Sequence, residues 1–171
     1  FKGVKDLIAY ARANPGKHNI ANAGSGFQSH LAAVLFAHMA GIDVHHIPYK
    51  GGVSIMNVIS GESHATIVPS PSVMVHVRSG RVRVLGTGGE KRSPVTPDVP
   101  TIIEQGVPAY VSTGWAGLLL PKGTPKPIFD RIYGSLERMM KDPTTREQFL
   151  RQGADPIFTR PAEMVAMIEA E

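Results

Sequence analysis

The chain contains no cysteine, which excludes disulfides, thiolate nucleophiles and cysteine-based metal sites. Aromatics are scarce: one Trp, four Tyr and six Phe among 171 residues. No apolar run approaches the roughly 18 residues of a membrane-spanning helix. A basic, apolar and small-residue leader is also absent from the first positions. Phe1, Lys2, Gly3 and Val4 open a helical pattern almost at once, which reads as the interior of a longer polypeptide. The formal net charge of +4 leans towards anionic ligands. Nucleic acid is disfavoured as a partner, because the densest basic stretch (Arg78, Arg81, Arg83, Lys91, Arg92) carries no interleaved aromatics.

What is present is an ordinary globular balance of 42% hydrophobic and 19% charged residues. The length suits one large domain or two small ones. Val4, Leu7, Ile8 and Ala11 recur at helical spacing, and Asn14, Pro15 and Gly16 end the pattern. A strand is expected over 18–23, a helix over 29–40 closed by Gly41, and a strand over 43–48. A helix over 53–60, a strand over 65–68, helical turns over 73–78 and a strand over 83–86 follow. The alternation predicts an α/β layered lobe with a largely parallel sheet.

Beyond Gly86 the composition shifts to a proline- and glycine-rich surface loop reaching Pro100, then a short helix over 101–105. Residues 113–121 read as a buried strand stopped by Pro121. Three helices complete the chain: 125–141 with Thr124 as N-cap, 143–152 capped by Asp142, and 161–170 capped by Thr159 or Arg160.

The most informative segment is 21–33, where a short extended run meets Gly24, Ser25 and Gly26 and a helix starts directly after. Such a junction aims free backbone amides, small hydroxyls and a helix N-terminus at one point, a ready site for a carboxylate or phosphate. Ser29 fits either as N-cap of that helix or as a ligand contact. Tyr49, Lys50 and Gly51 form a second strand-end loop, and Ser70 sits in a third; in parallel α/β lobes such loops share the carboxyl edge.

Other chemistries fit less well. A dinucleotide site needs an acid at the end of the next strand, where Ile47, Pro48 and Tyr49 stand instead. His45 and His46 are adjacent in a strand and point to opposite faces, and His30 and His38 lie two turns apart, so no metal site or cofactor is expected. A nucleophile elbow requires Gly-x-Ser-x-Gly, which residues 23–27 lack. No paired carboxylates stand out. An α/β enzyme acting on a phosphorylated or acyl substrate at the Gly-Ser-Gly loop stays open as the alternative, but no catalytic residue is assigned.

The order GSGFQSHLAAVLFAHMAGID, HIPYKGG, HVRSGRVRVLGTGGEKRSPVTPDVPTIIEQG and GWAGLLLPKGTP resembles the Bug/TctC family over nearly the whole chain. Its most specific part is KRSPVTPDVPT with the later Gly114 and Trp115. The family comprises periplasmic substrate-binding receptors of tripartite tricarboxylate transporters. The resemblance implies a periplasmic-binding-protein-like Venus flytrap of about twice this length. A small organic acid (a di- or tricarboxylate, an amino acid or a relative) would bind between lobes, for delivery to membrane components of the transporter. Carried over by position, the ligand-binding loop falls on Gly24, Ser25, Gly26, Phe27, Gln28, Ser29 and His30, with Tyr49, Lys50, Gly51 and Ser70 as neighbours. Phe27 would narrow the pocket or supply an apolar wall. Residues 1–112 would form the second lobe, and 113–171 a crossover strand and helices returning to an incomplete first lobe. The family's signal peptide, first strand and other glycine-rich loop are expected to precede this chain. Weak ligand binding by these residues alone, and a homodimer or domain swap through the apolar faces around Leu118, Leu119, Leu120, Ile132, Leu136 and Phe149, are then expected.

Overall fold

The computed structural model describes residues 1–50 and 53–170. It falls into two compact units, Phe1–Trp115 and Ala116–Glu171.

In the first unit, α1 (Val4–Ala13) buries Val4, Leu7, Ile8 and Ala11, the single stripe expected from their spacing. Pro15 cannot continue a helix, and the chain turns into β1 (Asn19–Asn22). Next comes α2 (Gln28–Ala40), whose buried side includes Ala32, Ala33, Phe36, Ala37 and Ala40. It ends at Gly41, which adopts φ 60 and returns its amide to the last turn, while Ile42 donates to the Ala37 carbonyl at 3.0 Å. Glycine suits this left-handed closure because it lacks a Cβ. Then follow β2 (His45–Pro48), α3 (Val53–Ser60), β3 (Ala65–Thr66) and α4 (Ser70–Arg78).

All three strands are parallel, in the order β2-β1-β3. Asn19 pairs with His45 and Asn22 with Pro48 on one side; Ile20 pairs with Ala65 and Ala21 with Thr66 on the other. Parallel neighbours require crossovers, supplied here by helices, so the three carboxyl ends lie along one edge. The core gathers Ile20 with Val4, Leu7, Phe36, Val107 and Tyr110. The Tyr110 hydroxyl donates to the Ala32 carbonyl at 3.1 Å, fixing its polar end inside that core.

Two expected strands do not form. At 83–86 the chain has no regular structure, and Gln105 Nε2 donates to the Leu85 carbonyl at 2.8 Å while its Oε1 accepts the Val4 amide at 2.8 Å. A buried glutamine thus bonds where a neighbouring strand would, and beyond it only a single parallel bridge, Thr87 to Thr101, is made. Residues 101–105 form turns rather than a helix. Residues 113–121 form no strand either, and Leu118 and Leu119 are exposed. A strand is defined by its ladder, and no β-ladder among the described residues includes this segment.

The second unit holds α5 (Lys126–Lys141), α6 (Pro143–Gln152) and α7 (Pro161–Glu169). Asp142 caps α6 by accepting the Thr145 amide at 2.8 Å, and Gly153 ends it at φ 93. Arg160 occupies the N-cap of α7, where its amide donates to Glu163 at 2.8 Å. Thr124 does not cap α5; its hydroxyl donates to the Pro121 carbonyl at 2.7 Å, and Pro125 precedes the first turn.

Candidate ligand site at the carboxyl edge

The site grows from the end of the central strand. Asn22 closes β1, and its backbone carbonyl accepts the Tyr49 amide at 2.9 Å, joining the loop after β1 to the loop after β2. Its side-chain Oδ1 accepts the Gly24 amide at 3.0 Å, a turn that asparagine makes with its own following backbone. Gly24 has φ +134, and a Cβ there would stand 3.1 Å from Phe27 Cδ2. Only glycine meets both conditions without strain.

Most amides of this loop are already spent. Phe27 donates to the Gly24 carbonyl at 3.2 Å, and His30 and Leu31 both donate to the Phe27 carbonyl, at 2.9 and 3.0 Å. Gly26 donates to His30 Nδ1 at 3.2 Å. The amides of Ser25, Gln28 and Ser29 are left at the N-terminal end of α2 with no acceptor among the described residues. These are the groups that carry the partial positive charge of a helix start.

The side chains divide. The Ser29 hydroxyl is buried and accepts the Ala23 amide at 3.0 Å, stitching the strand to the helix. The helix itself starts at Gln28, after an extended Phe27 with no side-chain cap. Gln28 turns away from the loop, so that a Cβ on Gly114 would collide with its carboxamide. It lines a separate groove of about 550 Å³ with Leu31, Leu35, Val111 and Ser112. Ser25, Phe27 and Lys50 are exposed, and the Tyr49 hydroxyl lies 3.5 Å from the buried Ser63 Oγ. Ser70 begins α4 beyond β3. Gly51 lies outside the described residues.

The rings of His30 and His46 meet edge to face at 5.6 Å. Burial first, and then His30, hold the His46 imidazole below its ordinary pKa. No residue among 22–30, 47–50 or 66–70 is acidic, so nothing on the described edge repels an anion. Sequence reasoning passed over Asn22 and Ser63; an asparagine two residues before a glycine at a strand end is the signal that marks the former.

A parallel sheet flanked by helices is shared with solved structures of periplasmic-binding-protein type. The model of the tripartite tricarboxylate transporter family receptor matches residues 1–171, and the chain belongs to that family. It is 34% identical over its full length to a Cupriavidus necator protein described as "UPF0065 protein in gbd 5'region", covering 52% of it. BugT of Bordetella pertussis is 34% identical over 96% of this chain and 51% of its own. Among solved structures, "R. palustris Rpa4515 with adipate" superposes at a TM-score of 0.94 with 30% identity, over 99% of this chain and 57% of that one. Malate-bound MatC of Rhodopseudomonas palustris superposes at 0.81 with 24% identity, over 99% of this chain and 59% of that one, a likeness of fold. The chain therefore spans about half the length of the relatives it matches.

Proposed function

We propose that this chain supplies one carboxylate-binding face of an extracytoplasmic solute receptor, serving the membrane components of a tripartite tricarboxylate transporter from the periplasm. The observation that carries the reading is the carboxyl edge, where the loops after β1 and β2 are joined and leave amides at Ser25, Gln28 and Ser29 with no acceptor among the described residues and no acid beside them. Gly24, Gly26, Phe27, His30, Tyr49, Lys50, Gly51 and Ser70 complete the proposed site as shape, support or neighbours. A hydrogen bond to a charged carboxylate contributes roughly 1.5–3 kcal/mol, and the helix start adds about 0.3–2 kcal/mol. The adipate described with the Rhodopseudomonas palustris neighbour supports a small dicarboxylate as the ligand class. In this reading residues 1–112 belong to one lobe, and 113–171 return towards the other.

A thermal-shift panel of carboxylates, including adipate and malate, set against phosphorylated compounds tests the proposal, with a turnover assay on any hit. Stabilisation by carboxylates without turnover is the expected result. Preferential stabilisation by phosphorylated compounds, or conversion of a hit, transfers the loop to the enzyme reading.

A further inference from the structure

Asn22 carries more hydrogen-bonding capacity than the fold uses. Its side chain is fully buried, and its Oδ1 is committed to the Gly24 amide at 3.0 Å. Its Nδ2, on the same planar carboxamide, is shielded from solvent and has no partner. A buried donor left unpaired costs roughly 1–3 kcal/mol, and such groups in native proteins call for an explanation. This one lies at the joint of the two loops, because the Asn22 carbonyl also holds the Tyr49 amide at 2.9 Å. Covalent geometry places the free NH2 directly beside the oxygen that anchors the loop.

We propose that the Asn22 side-chain amide is a further ligand-binding group, donating Nδ2–H to a carboxylate oxygen of the bound acid. The inference rests on the carboxylate reading of the edge. An amide suits this place because it donates without adding charge, whereas an aspartate of the same shape would present only acceptors to an anionic ligand. The Phe27 ring stands against the neighbouring Gly24 and is 63% exposed. In this role Asn22 selects for a ligand oxygen that accepts.

The test uses the 171-residue chain, nitrogen-15 labelled and titrated with adipate and with malate. The Asn22→Ser variant keeps a side-chain oxygen for the Gly24 amide and removes the NH2. In the unsubstituted chain the Asn22 side-chain NH2 resonances move together with the Ser25, Gln28 and Ser29 amides, and Asn22→Ser weakens binding at least tenfold. Unmoved NH2 resonances beside responding loop amides, or an unchanged affinity in the variant, overturn the proposal. If no loop resonance answers either acid, the carboxylate reading fails and this proposal falls with it, an outcome distinct from loop amides that respond beside a silent Asn22 NH2.

Discussion

His18 enters β1 with its ring fully buried, stacked on His64 at 4.8 Å between centroids and flanked edge-on by Phe1 and Tyr10. Neither ring nitrogen has a partner. Burial, then the neighbouring His64, lowers its pKa from 6.5 to about 4. The folded state thus prefers the neutral ring, and the unfolded chain binds the extra proton between those values. Stability is complete above pH 6.5, falls as the pH drops towards 4, and levels off below, with a total loss on the order of 3 kcal/mol. Urea unfolding across that range reads the slope, and His18→Phe flattens it; an equal slope in the variant refutes the assignment. Ser29→Ala removes the buried acceptor of the Ala23 amide and lowers stability by about 1–3 kcal/mol. An unchanged urea midpoint would show the stitch to be dispensable.

At the scale of elements, α6 rests on its first residue outside the helix. Asp142 accepts both the amide and the hydroxyl of Thr145, at 2.8 and 2.7 Å, and the hydroxyl and amide bonds pull its carboxyl below the usual range. Asp142→Ala therefore reduces helicity over 143–152, and acidification through the lowered pKa of Asp142 does the same to the parent chain; circular dichroism or residue-level carbon shifts follow both. This cap was legible in the sequence, as were the glycine stops at Gly41, Gly61 and Gly153 and the first three strands, because each follows from neighbouring residues. Failures came where the deciding partner is distant. Gln105 bonds the Leu85 carbonyl where a strand is expected at 83–86, and among the described residues no strand pairs with 113–121. The anion-cradle loop was legible from its glycines, whereas the close approach of the Gln28 side chain to Gly114 follows from the three-dimensional path. So does the burial of Asn22.

On the scale of the whole molecule, a site open on one side keeps water on its donors. Isothermal calorimetry on the 171 residues is expected to give millimolar affinity for adipate or malate, about −4 kcal/mol; micromolar binding would show that one face suffices. In the second unit Leu118, Leu119, Ile128 and Ile157 are exposed, an apolar burden that favours association. Light scattering is expected to show self-association that rises with concentration, and a strict monomer at about 100 μM would rule it out. The sheet order has a consequence in time as well as space. Every pairing of β1 joins it to a strand beyond an intervening helix, His45 for Asn19 and Ala65 for Ile20, so no hairpin can nucleate the sheet. Such non-local pairing slows folding relative to locally paired topologies. The loops after β1 and β2 are joined by the Tyr49 amide on the Asn22 carbonyl, so the capacity to bind is expected to emerge only after that parallel pairing has formed, which stopped-flow refolding in the presence of ligand would time.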